Sequence, residues 1–158
     1  MKPSDFTAVF RITGLKGLVW DGMIYPGTDG SISLGISPAG RHGAQYDVVP
    51  SGKIIHTAGW NSPLGFISWN INVPRPGNFE FIVNSSAAAG TSEIAIEVGD
   101  MITKGNIPAT ASWEEYRNVT IGKVLIKQAG PVTVKFHSND PKTWKALNLA
   151  SVTLKPVK

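Results

Sequence analysis

Apolar residues recur at every second position along most of this chain, and that periodicity leaves few folds open. Trp69, Ile71 and Val73 alternate with Asn70 and Asn72. Phe79, Phe81 and Val83 follow the turn Pro74-Arg75-Pro76-Gly77. Ile94, Ile96 and Val98 alternate with Glu93, Ala95 and Glu97, and Gly99-Asp100 then turns the chain. Val132, Val134 and Phe136 alternate with Thr133, Lys135 and His137. An extended chain sends successive side chains to opposite faces, so each segment predicts a strand with one face in the core and one in water. No window carries a helical stripe. Further strands are predicted at residues 6–13, 19–25, 31–36, 45–49 and 53–57. The 17 Gly and 11 Pro, scattered rather than clustered, supply turns between them. Roughly ten short strands of this kind predict an all-β fold, a two-sheet antiparallel β-sandwich of jelly-roll type.

The alternation slips once, near the end. Leu147 and Leu149 hold the odd phase, whereas Val152 and Leu154 hold the even one. One strand buries both pairs only with a bulge near Ala150-Ser151. Asn148 therefore stands where a loop becomes a strand.

The chain has 158 residues and no internal repeat or linker, which suits one domain over 1–158. It lacks cysteine, so packing alone must hold it. The opening MKPSDFTAVFRIT has no apolar signal-peptide core, and no run is long enough to span a membrane. The sequence pI is near 9.4. Residues 101–158 carry nine basic against three acidic side chains, and residues 1–100 carry six against eight. The lysines are spread along predicted strands without an arginine cluster or an RNA-reading aromatic motif, so they describe a solvated basic face rather than a nucleic-acid groove.

Catalytic signals are sparse. His42, His56 and His137 show no metal-ligand spacing, and no serine-hydrolase, zinc-protease, phosphate-loop or calcium-loop motif is present. Glu114 and Glu115 are adjacent, so on a strand they face opposite ways and cannot act as an acid and base pair. Asn84-Ser85-Ser86 and Asn118-Val119-Thr120 match the glycosylation pattern.

Five tryptophans remain. Trp69 begins an alternating strand and reads as core. Trp113 sits in ATASWEEY, balanced between core and rim. Trp60, in AGWNSP, and Trp144, in PKTWKA, are flanked by turn residues. An indole held out on a loop can stack on the apolar face of a sugar while a nearby amide or ammonium binds its hydroxyls. Trp144 followed by Asn148, with Lys142 and Lys145 beside them, is the strongest such arrangement. A loop indole tucked over the end of a sandwich is the competing reading.

From about residue 31 onward the chain resembles a galactose-binding-like β-sandwich carbohydrate-binding module. It is similar to the C-terminal modules of bacterial α-L-fucosidases and, more distantly, to module families six and thirty-five. FISWNINVPRPGNFEFIVN, SEIAIEVGD, IPATASWEEYRNVTIGKVLIKQAGPVTVKF and ALNLASVTLKP carry the resemblance, strongest over residues 66–156. It implies Asn148 as the sugar-binding amide, Trp144 and Trp60 as stacking or flanking aromatics, and a less certain role for Trp113. It also implies calcium held by an early acidic residue and an Asp in the last strand. This sequence has Leu34 to Ala39 and Ala150-Ser151 there, so no metal or other cofactor is expected. Residues 1–30 exceed what the family needs and read as extra strands or the remnant of a preceding segment.

The resulting expectation is a non-catalytic module that holds a partner glycoside hydrolase near glycan, in an extracellular or periplasmic setting. Its partners would be an oligosaccharide and a catalytic domain, not nucleic acid or the membrane interior. A sandwich that buttresses such an enzyme without binding sugar is the alternative, and there Trp60 and Trp144 would be buried. A small hydrolase would need two converging carboxylates.

Overall fold

The alternating segments pair in the computed structural model into strands that account for every regular element among the described residues, 22–157. In chain order they are β1 (Met23–Ile24), β2 (Ile32–Gly35), β3 (Gly40–His42), β4 (Asp47–Ser51), β5 (Ile54–Ala58) and β6 (Phe66–Val73). There follow β7 (Gly77–Ser86), β8 (Ser92–Val98), β9 (Met101–Ile107), β10 (Arg117–Ile126), β11 (Gly130–Ser138) and β12 (Asn148–Pro156). The larger sheet runs β1-β6-β11-β8-β9, with β3 also on β6; the smaller runs β10-β7-β12-β2; β4 and β5 form a separate hairpin. Every pairing of named strands is antiparallel except β1 with β6.

The two inner faces make one core. Val134 lies opposite Trp69 and Val98, and Phe136 opposite Ile67 and Ile96, so inward residues of three strands form continuous rows. Trp69, Ile71, Val73, Phe79, Phe81, Ile94, Ile96, Val134 and Phe136 are buried as the alternation predicts, and Val132 packs at the margin. The slip in phase is a bulge in β12 between Leu149 and Ser151. It leaves the Leu149 N–H free of the ladder, and Thr57 Oγ1 on β5 accepts it at 2.8 Å. The hairpin is thereby fastened across the start of β12.

Of the earlier predicted strands, 31–36 appears as β2, while 45–49 and 53–57 appear one or two residues later as β4 and β5. The segment 6–13 and residues 19–21 of 19–25 lie outside the described residues, as does the expectation for 1–30 up to residue 21, and the described part of 19–25 holds β1.

The topology gathers four connections at one end. β6, β8, β10 and β12 begin there and β5, β7, β9 and β11 end there, so residues 59–65, 87–91, 108–116 and 139–147 form a common rim.

Candidate functional site

The rim contradicts the expectation for Trp144 and Trp60. Trp144 is 7% exposed and Trp60 only 1%. Their rings lie 5.2 Å apart, and Trp60 also meets Tyr46 at 5.4 Å and Phe136 at 5.9 Å. Neither indole is held out for a ligand; together they close the end of the core. Local turn chemistry supplies the reason. Asp140 Oδ1 accepts the Lys142 N–H at 2.9 Å and Asp140 O accepts the Thr143 N–H at 3.0 Å, a turn that leaves Lys142 exposed and swings Trp144 inward. Buried Ser92 then clamps the next residue, its Oγ accepting from Lys145 N and donating to Lys145 O, both at 2.7 Å. Lys145 keeps its side chain outside, along Gly90.

Two predicted residues do converge. Asn148 opens β12 opposite Ser86, the last residue of β7. Ser86 Oγ donates to the Trp113 carbonyl at 2.7 Å, bringing the 108–116 loop alongside. That loop is braced. Thr110 Oγ1 accepts from Ala87 N at 2.9 Å and donates to Ser112 O at 2.8 Å. Glu115 accepts from Ala111 N at 2.8 Å and pairs with Arg117. Trp113, on this braced loop, is 38% exposed, while Asn148 is 9% exposed.

Two residues that the sequence did not single out complete the cluster. Tyr116 reaches toward Ser86 and Asn148 with an enclosed hydroxyl that closes no hydrogen bond of good geometry, and burial pushes that hydroxyl up from its ordinary pKa. The His56 ring lies 5.4 Å from the Tyr116 ring, and its Nδ1 faces the Thr57 carbonyl at 2.8 Å. Tyr116 stands within the SWEEY run that drew attention to Trp113, but His56 has no local signal.

Three carboxylates among the described residues are held in their charged form. Glu115 and Asp29 both lie below their ordinary range, chiefly because backbone N–H groups of Ala111 and Ser31 donate to them. Glu97 lies below it because Lys135 donates at 3.0 Å, with His137 adding a contact at 3.1 Å. A glycosidase acid needs its carboxyl raised, and these are lowered. For Glu97 the folded pKa is below the unfolded one, so its contribution is present above the usual range near pH 4.3 and is lost as pH falls through the folded value. Melting curves should show stability falling on acidification through that range, and Glu97→Gln should flatten the dependence.

Among the described residues, those at the place the resemblance assigns do not fit the implied calcium. The depression over residues 35–38 and Ala150-Ser151 is lined by Lys53, Ser37, Asn84 and Ser151, an ammonium among neutral groups with no carboxylate. Among the described residues no three His, Cys, Asp or Glu side chains cluster as a metal site. The two glycosylation-pattern asparagines, Asn84 and Asn118, pair with each other across β7 and β10 at 2.7 Å. Among the described residues no helix is long and apolar enough to cross a membrane.

The family model described as "Domain of unknown function (DUF5077)" matches residues 49–156. No curated protein matches the chain. Among solved structures, a family 35 carbohydrate binding module from Clostridium thermocellum superposes with a TM-score of 0.67 at 17% identity, covering 80% of this chain and 98% of that one. A GH26-CBM35 β-(1,4)-mannanase from Podospora anserina gives 0.66 at 19% identity, over 82% of this chain and 28% of that one. A cycloisomaltooligosaccharide glucanotransferase from Paenibacillus sp., complexed with cycloisomaltoheptaose, gives 0.68 at 18% identity, over 84% and 19%. The chain thus spans less than a third of either enzyme and nearly all of the isolated module. What is shared at these identities is the β-sandwich.

Proposed function

The chain belongs to the DUF5077 family, and from that sandwich and its rim we propose that it is a non-catalytic carbohydrate-binding module. The observation that carries this is an exposed Trp113 on a loop that Ser86 ties to the start of β12, where Asn148, Tyr116 and His56 gather. Trp113 would take the apolar face of a sugar ring and Asn148 a hydroxyl. Lys142 and Lys145 flank the rim from outside and would reach only a ligand extending beyond it. The parent would be a secreted glycoside hydrolase, an α-L-fucosidase by the sequence resemblance, with the module acting outside the cell.

The burial of Trp60 and Trp144 favours the second reading, a sandwich that supports an enzyme and binds nothing. Trp113 separates the two. On a glycan array the full chain should bind at least one sugar. One stacking face and a few hydrogen bonds give weak affinity, and Trp113→Ala should reduce it at least about tenfold. Its melting temperature should fall by only a few degrees, far less than for the fully buried Trp60, because the ring is partly exposed. An array on which native chain binds no glycan, or on which Trp113→Ala binds equally well, assigns the chain to the supporting role.

A further inference from the structure

The two ends of the sandwich are finished differently. At the rim, Trp60 and Trp144 close the core. At the opposite end, Gly99-Asp100 joins β8 to β9 and Lys127-Gln128-Ala129 joins β10 to β11. Neither turn carries a large apolar side chain that could fold over the strands. A depression opens between them, lined by Val98 and Ile126 of the core and by Val132 packed against it.

Its edge follows from how β9 and β10 meet. They run close where glycine permits: a Cβ on Gly105 would stand 2.8 Å from Ile121 Cγ2, and one on Gly122 2.7 Å from Thr103 Cγ2. Thr103 Oγ1 donates to Lys123 O at 3.4 Å. Two residues further along each strand, Met101 and Leu125 line the depression, 43% and 45% exposed, with Ile102 beside Met101 at 52%. Pro131 adds exposed apolar surface. Single exposed apolar side chains are ordinary, but a contiguous set around an apolar depression marks an interaction surface.

The charges at its edge decide what fits it. Asp100 and Lys127 are exposed on different turns, and among the described residues neither has an ion-pair partner. A face with one free acid and one free base on separate turns is its own complement. In a two-fold pair, residue i of one copy meets j of the other, and j meets i. Each Asp100 then meets a Lys127 from the other copy, while Met101 and Leu125 cover apolar surface on both sides. We propose that this end of the sandwich is a self-complementary interface through which the chain pairs with a second copy, end to end. Both rims, at the other end of each copy, stay open. The proposal does not depend on the carbohydrate-binding reading. An interface confined to one end of a sandwich is small, so pairing is weak and concentration-dependent.

Sedimentation velocity of the full chain, from micromolar to submillimolar concentration, tests this. The average mass should rise from one copy toward two. Lys127→Glu sets like charges together at two places in the contact and should weaken pairing at least about tenfold, as should Asp100→Lys. The double exchange Asp100→Lys/Lys127→Glu restores both pairs with reversed sign and should recover most of the native affinity. Leu125→Ser removes apolar cover without changing charge and should also weaken pairing. These side chains are exposed, and unchanged circular dichroism spectra show that each variant folds. A chain that stays at one copy throughout overturns the proposal and leaves the face to a different partner. Pairing that the single charge variants do not weaken, or that the double exchange does not restore, runs through another surface and overturns it as well.

Discussion

Trp60→Ala should cost about 4 kcal/mol of folding stability, the loss expected when a fully buried tryptophan leaves a cavity that its neighbours cannot fill. In a domain of this size that lowers the melting temperature by roughly 10 °C. Trp60 is 1% exposed and contacts Tyr46, Phe136 and Trp144, so its removal opens the end of the core rather than a surface dimple. Trp144→Ala should be costly as well, and the double variant should cost less than the two losses added, because each ring forms part of the other's cavity wall. The phenylalanine variants provide the contrast. Both indole N–H groups are enclosed without an acceptor, so Trp60→Phe and Trp144→Phe forfeit no hydrogen bond and should be far milder than the alanine variants. Denaturant titration decides the matter: a loss below about 1 kcal/mol for Trp60→Ala would mean the ring is not core after all.

These tryptophans mark where the sequence stops being legible. Inside strands the direction of a side chain follows from its parity, which is why Trp69, Phe81 and Phe136 could be placed inward from alternation alone. The bulge at Leu149 and Ser151 was readable for the same reason, since two phases cannot share one strand unbroken. In a loop, parity says nothing. Trp144 points inward because Asp140 caps a turn two residues after itself and because Ser92, 53 residues away, clamps Lys145. That second contact has no local trace. His56 and Tyr116 likewise meet only because the β4–β5 hairpin is pinned to β12.

Gly65→Ala should match the tryptophan variants in severity, through the backbone rather than the core. Gly65 sits at φ +84°, in the left-handed region, which costs a residue with a Cβ about 1–2 kcal/mol. The larger obstacle is space. An added Cβ would stand 2.6 Å from His42 O and closer still to Ala44 N and the Gly43 carbonyl carbon, all main-chain atoms. No side chain can swing aside there, so the β5–β6 connection and the end of β3 must separate. Displacements of that kind in packed structure cost roughly a further 1–3 kcal/mol, for a total of about 2–5 kcal/mol. Gly52→Ala is the matched control, with φ +60° and nothing within 4 Å of the added atom, so it should show the conformational cost alone. The difference between the two variants therefore measures the close approach itself. Equal losses would mean that β3 and the 59–65 loop do not touch as described. A loss at Gly65 larger by 1 kcal/mol or more would confirm the contact that sets Phe66 beside His42.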